Sequence, residues 1–503
     1  MMEPSHRPTP IVRSRHPSVA RWTIALTLCV VAGCAVGPDF TRPAAPGVER
    51  YTRDRLAPET VAANGETQRF TAGAPVSADW WKLFGSTALD EMVHRALSNS
   101  PTVASAQASL RQSQDDLRAG YGIFFPQIGG SVQAVREHAP PLLNSAQPQT
   151  GNVFNLVTAS GSVSYFLDLF GGKRRAVEAL RAQADYQRYV AMATYLTLST
   201  NVVNTVIAYA AYAAQADETR ELIALQQQQL QAIEVQFRAG STAYASVLSI
   251  RSLIASNQAA EAQLEQKMSQ SADLLAMLQG QSPVEAELPK ATLHSLTLPA
   301  ELPVSLPSDL VRQRPDILAA EAQMHVASAN IGVATAAMFP SISLSGSYGK
   351  DATTFAGLSG EGFRFWSIGP SISIPVFEGG SLWYGRKAAV DVFDQTQAAY
   401  RQTVLAAFAQ VADVLNALEH DAQALQAQEA AMNDARMALD LVQVNFSAGI
   451  AGYLDVLAAD VQFHQATIAY VAAIAQRQQD TVALFAALGG GWREVPSTDT
   501  GGE

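Results

Sequence analysis

Cysteine is nearly missing. Cys29 and Cys34 are the two thiols in 503 residues, and none follows position 34. That excludes a disulfide framework or a cysteine metal site in the body of the chain. Charge is scarce too: 16% of residues are charged, against roughly 25% in an ordinary soluble domain. Gln, Ala and Ser fill the polar positions instead. The net charge is −11, so no nucleic-acid partner is expected. Beyond the N-terminal region no run of about 20 apolar residues occurs, and no transmembrane helix is expected. A chain of this kind crosses a membrane only as strands of a closed barrel. Proline and glycine are absent from 173–238 and from 386–448. His94, His138, His294, His325, His420 and His464 show no close metal-ligand pairing. The segment 357–362, Gly-Leu-Ser-Gly-Glu-Gly, lacks the strand–turn–helix context of a phosphate loop, and no nucleophile elbow stands out. No catalysis, metal or cofactor is expected.

The N-terminus carries Arg7, Arg13, Arg15 and Arg21, then an apolar run over 22–33. The run suits a signal peptide and is too short to span a membrane. It ends in Val-Ala-Gly-Cys, which resembles a bacterial lipobox. By that resemblance residues 1–33 are removed and Cys34 is lipidated. Residue 35 is Ala; the resemblance makes Asp there an inner-membrane retention signal, so its absence permits the outer membrane.

What fills the two uninterrupted stretches is Ala, Leu, Gln and Glu, good helix formers. Each predicts a helix of roughly 90–100 Å at 1.5 Å per residue. Val411, Leu415, Leu418, Ala422 and Leu425 advance by four and three alternately, the coiled-coil spacing. The chain also repeats itself. Residues 98–110 align with 312–324, 124–131 with 338–345, 167–176 with 374–388, and 237–248 with 446–457, in one order at an offset near 210. Such a repeat governs the whole fold. Two halves are expected, 87–290 and 291–489. An anchored segment, 34–86, precedes them and a flexible tail, 490–503, follows. In each half a helix ends near Phe-Pro, at Phe125 and Pro126 or Phe339 and Pro340. Two short strands, a very long helix, a glycine break and a further helix come next.

The strands are expected near 127–135, 157–167, 341–348 and 366–374, where side chains alternate with period two. The apolar positions oppose Ser, Thr and Gln rather than charge. Uncharged polar-in, apolar-out alternation, with aromatics towards the ends, is the outer-membrane barrel pattern. Tyr165, Tyr348, Phe363, Phe365 and Trp366 are expected at the lipid–water boundaries. Four strands cannot close a bacterial barrel, which begins at eight, and unpaired edges are prohibitive in lipid. Several copies must therefore share one barrel. Two copies give eight strands, filled by their own side chains, and three give twelve; a conducting channel favours three.

Taken together, Cys34–Pro43, Trp80–Leu97, Arg312–Met324 and Phe446–Leu457 resemble the outer-membrane factor (TolC-like) family, in its lipid-anchored NodT-type branch. The resemblance implies an α+β membrane protein. It implies a homotrimer with a twelve-stranded outer-membrane β-barrel, four strands per chain, and a periplasmic α-helical coiled-coil barrel. It implies a passive exit duct for drugs or other small toxic compounds, working with a periplasmic adaptor and an inner-membrane RND-type pump. Arg238, Ala239 and Gly240, with Ser447, Ala448 and Gly449, match the adaptor-contacting tips. Leu454 and Asp455 match the periplasmic gate. Ser447 departs from the more usual Arg, and Ala458 stands where many members carry a second acid. Two alternatives stay open: the duct of a type I secretion system, and a non-conducting structural helical lipoprotein.

Overall fold

A computed structural model describes residues 35–139, 152–287, 291–360 and 363–491. Cys34, the 1–33 leader and the end of the tail lie outside the described residues. The chain divides into two compact units. One comprises Met1–Phe40, Leu117–Leu180 and Val326–Phe393; the other comprises Thr41–Asp116, Arg181–His325 and Asp394–Glu503.

In the first unit the alternating segments pair into one antiparallel sheet. Its strands are β2 (Gln127–Ala139), β3 (Asn152–Leu167), β5 (Ser341–Ala352) and β6 (Phe363–Ser373), in spatial order β2-β3-β5-β6. Register keeps the two faces continuous. Ile128 pairs with Val163, Tyr165 with Leu344, Leu344 with Pro370, and Tyr348 with Trp366. On the opposite face Gly129, Ser162, Ser347 and Ser367 form one row across all four strands. Hydroxyls bond across it: Ser131 with Ser160 at 3.0 Å, and Ser347 with Ser367 at 2.8 Å.

The sheet differs from expectation in two ways. All four strands begin or end within a residue of the expected positions at their helix-proximal ends, but all four run three to five residues further at the hairpin ends. Arg136, Glu137, Lys350, Asp351 and Arg364 carry the ladder on where the simple apolar pattern has stopped. Backbone pairing does not require that pattern. The second difference concerns Phe363 and Phe365. They fall opposite Asp351 and Gly349, on the serine face, and so do not share the apolar face of Tyr165, Tyr348 and Trp366. Phe365 packs its ring over Gly349, where a Cβ would clash with it; strand parity sets the side, and glycine leaves the ring room there.

Two prolines separate helix from strand. The helix α2 (Pro101–Tyr121) gives way to a short turn, and Phe125, extended at φ −109° and ψ 152°, leads through Pro126 into β2. A residue before proline is pushed out of the helical region. Phe339 and Pro340 play the same part after α6 (Pro315–Ala336), and Phe339 stacks on Phe170 at 4.7 Å. The return from β3 to the helix α3 (Gly172–Arg238) is capped by Asp168, whose carboxylate accepts from the Lys173 and Arg174 backbone N–H groups.

The second unit is helical. It holds α1 (Thr87–Asn99), most of α3, α4 (Tyr244–Leu278), α5 (Pro307–Gln313), most of α7 (Ser381–Ser447) and α8 (Tyr453–Ala487). The short strands β1 (Arg69–Ala72) and β4 (Glu301–Val304) pair in parallel; neither was expected from so short a pattern. The α7 seam is buried as its spacing requires: Val411, Leu415, Leu418, Ala422 and Leu425 are all at most 2% exposed. An 18-residue window of α3 is apolar enough by composition to cross a membrane. Half of it is buried, and Val202, Val203, Val206 and Ile207 belong to the same core as the α7 seam.

That core explains two of the motifs. Trp80 is fully buried and stacks on Phe485 of α8 at 5.4 Å, while the Trp81 indole donates to Asp90 at 2.8 Å. Arg314, 7% exposed, forks onto Asp316 and donates to the Ala487 carbonyl at 3.0 Å. It thereby satisfies an orphan carbonyl at the end of α8 and places its cation on the negative end of that helix.

Candidate functional site: tips, gate and anchor

Both helix reversals are built from the same bonds. At the first, Ser241 N–H donates to the Gln236 carbonyl and Gly240 N–H to that of Phe237, both at 2.9 Å. At the second, Ile450 N–H donates to Asn445 at 2.9 Å and Gly449 N–H to Phe446 at 3.0 Å. These are Schellman closures, which need a left-handed residue. Gly240 and Gly449 supply it, each at φ +73°. A ring pair crosses each turn, Phe237 with Tyr244 at 5.2 Å and Phe446 with Tyr453 at 5.8 Å. Arg238, Ala239, Gly240, Ser447, Ala448 and Gly449 are all exposed.

The surroundings differ. Arg238 turns back to the Glu234 carbonyl at 3.2 Å, whereas Ser447 donates to Val444 at 2.7 Å. At the second tip Leu454 is 53% exposed. Asp455 is exposed as well, and its carboxylate accepts the Gly452 N–H at 2.8 Å. It therefore closes the first turn of α8, a stabilising place for an anion. Ser246 holds the equivalent position at the first tip.

Behind the second tip lies a cluster that the sequence did not disclose. His464 is 3% exposed and Asp460 4% exposed. His464 Nδ1 is 3.3 Å from Glu218 of α3, and its Nε2 is 3.7 Å from Asp460. Burial raises the Asp460 pKa, and His464 opposes that rise. Burial, helped by the nearby Asp460, also lifts Tyr453 to about 12. Further along the same helices, Asp421 of α7 is raised to about 7, by burial first and then by Asp480 of α8. The only sequence signal was helical spacing, with Asp460 and His464 four residues apart on one face.

The start of the described chain is seated in the first unit. Val36 N–H donates to the Phe170 carbonyl at 3.0 Å. Arg175, 5% exposed, donates to Asp39 at 2.6 Å and Glu178 at 2.8 Å. Its side chain crosses Gly332 of α6, and Gly37 (φ +97°) rests on the Gly332 backbone. A buried guanidinium bonded to carboxylates from two segments fixes that peptide to the base of β3 and α3. The residue next to Cys34 is thus held beside the strand–helix junction. Arg175 lies in the Gly-Gly-Lys-Arg-Arg stretch of the repeat, where no local pattern marks it.

The model of the outer membrane efflux protein family matches residues 92–281 and 306–490. The solvent efflux pump outer membrane protein SrpC of Pseudomonas putida is 29% identical over 476 residues, covering 92% of this chain and 97% of its own. The pyoverdine export outer membrane protein OpmQ of Pseudomonas aeruginosa is 31% identical over 448 residues, covering 86% and 92%. The solved outer-membrane channel OprN superposes with a TM-score of 0.81 at 25% identity, covering 91% of this chain and all of that one. The sheet, the paired glycine reversals and these matches agree, and the chain belongs to the outer membrane efflux protein family.

Proposed function

We propose that the protein is the outer-membrane exit duct of a tripartite efflux system. Three copies would close a twelve-stranded barrel and continue it as a helical tunnel. One observation carries this most directly. The apolar and serine faces are continuous across β2-β3-β5-β6, yet β2 and β6 have no further partner within the described sheet. In lipid those edges must be paired, and another copy of the same sheet pairs them. The serine face then lines water, and Ile128, Leu344, Ile368 and Ile372 meet lipid. The recurring closures at Gly240 and Gly449 support a two-fold repeat.

The reading extends to named residues. Cys34 carries the acyl anchor, and the Arg175 clamp on Asp39 fixes the described residues that follow it. The exposed tips, Arg238–Gly240 and Ser447–Gly449, dock a periplasmic adaptor, which joins the duct to an inner-membrane RND-type pump. Leu454 and Asp455 narrow the periplasmic mouth. Solvents and pyoverdine belong to the relatives' names; for this chain small toxic compounds are the proposed cargo. No step is chemical, and the pump supplies the energy.

Purified mature protein in planar bilayers tests the duct. We expect a trimer with discrete conductance that rises on Asp455→Ala. Absence of any channel, with both tips intact and after Asp455→Ala, would sink the proposal.

A further inference from the structure

Charge on the sheet is sorted by face. Side chains alternate, so residues of one parity in each strand share a side. The outward side, set by Ile128, Val132, Tyr348, Trp366 and Ile368, also carries Arg136 and His138 on β2, Lys350 on β5 and Arg364 on β6. Lys350 and Arg364 face each other in register, two residues beyond the Tyr348–Trp366 pair. The acids take the other side. Glu137 and Asp351 share the serine face, and Asp351 accepts a 2.6 Å bond from Thr158 there. Among the described residues of these four strands, every cation is thus outward and every carboxylate inward.

Membrane depth explains the sorting. Trp366 is 74% exposed and Tyr348 57%, and outward aromatics mark a lipid–water boundary. Two residues further along is about 7 Å, the layer where headgroup phosphates lie. Arg364 is exposed there, and Lys350 is half-buried with one N–H given to the Leu358 carbonyl at 3.1 Å; Arg136, exposed on the same face, pairs with Asn155, four register positions beyond the Ala159–Lys350 pair. A guanidinium matches a phosphate bidentately, and an ammonium adds a point charge. Removing the carboxylates from this side leaves the phosphates no local repulsion.

We propose that Lys350 and Arg364, with Arg136 further out on the same face, form a basic girdle that binds the phosphates of a phosphorylated glycolipid in the outer leaflet. The girdle rests on the barrel proposed above, and it adds a specific lipid partner on the barrel's outer rim. Glu137 and Asp351 line the mouth on the other side of the same wall.

The test uses the mature full chain, reconstituted in phosphatidylcholine vesicles containing bisphosphorylated lipid A or its dephosphorylated form. Retained glycolipid is quantified by mass spectrometry after detergent extraction of the protein. Wild type should retain several-fold more of the phosphorylated lipid than the Arg136→Gln/Lys350→Gln/Arg364→Gln variant. Both should retain the dephosphorylated lipid equally, and inorganic phosphate should not compete at millimolar concentration. Equal retention of phosphorylated lipid by wild type and variant overturns the girdle. So does wild-type retention that ignores the phosphates, or full competition by free phosphate. Should the triple variant fail to assemble, single Arg364→Gln and Arg136→Gln give the same comparison with partial losses. Quenching of Trp366 by brominated acyl chains, measured against Trp366→Phe, separates the two layers of the argument. Quenching without phosphate-dependent retention removes the girdle and leaves the barrel; no quenching removes the outward face and the girdle with it.

Discussion

The two tips share a backbone and differ in what stands behind it. Gly240 and Gly449 close their turns with the same bonds and the same φ. Counting the same number of residues onward reaches Arg251 after the first and Asp460 after the second. Arg251 is exposed and pairs with Glu234 at 2.6 Å. Asp460 is buried with His464. A repeated turn thus ends one surface ion pair and one buried acid–base cluster. The first tip is backed by a screened surface pair, the second by charged groups held out of water.

The strongest way to break this comparison is to remove the buried partner. His464→Ala should destabilise the α3–α8 contact by roughly 1–3 kcal/mol, the cost of an unsatisfied buried polar group. Arg251→Ala should leave the α3–α4 contact unchanged, because an exposed pair is screened. Hydrogen exchange along α8 and α4 measures both; equal losses would erase the distinction. Next come the shared closures. Gly240→Val and Gly449→Val should each cost about 1–2 kcal/mol, since a β-branched residue is strained at positive φ. A large difference between the two, read by exchange at 235–241 and 444–450, would show that the turns are not equivalent.

Smaller effects sharpen the contrast. Asp455→Ala should lower the stability of the first α8 turn by about 1 kcal/mol, and Ser246→Ala should not affect α4 comparably. Amide exchange at Gly452 reports the first directly. The last prediction concerns pH. Asp421 has its folded pKa raised to about 7 from 3.8. A raised carboxyl pKa contributes stability that is fully present below the unfolded pKa and is lost as pH rises through the folded one. The α7–α8 pair should therefore loosen between about pH 4 and 7. Tyr212 and Ser271 hold the equivalent places on α3 and α4, so that pair should not respond in this way. Asp421→Asn should flatten the melting temperature between about pH 4 and 7; an undiminished slope would assign the effect elsewhere.

Much was legible in local pattern. The α7 seam at Val411, Leu415 and Leu418 follows from spacing, because a helix repeats its faces in a fixed period. The serines at 341, 343, 345 and 347 announced a strand for the same reason. The glycine reversals were visible since few residues other than glycine adopt positive φ cheaply. Phe363 and Phe365 were misplaced because proximity to Trp366 said nothing of parity.

By itself, then, the sequence determined the helices, the strands, their two faces and the points of reversal. Each depends on neighbours a few residues apart. Only the tertiary structure decided which distant groups meet: His464 with Glu218, Arg175 with Asp39, Arg314 with the end of α8. It also decided that strand charge divides by sign between the two faces, since register across four strands aligns Lys350 with Arg364. Those pairings join residues up to hundreds of positions apart, and no local periodicity encodes them.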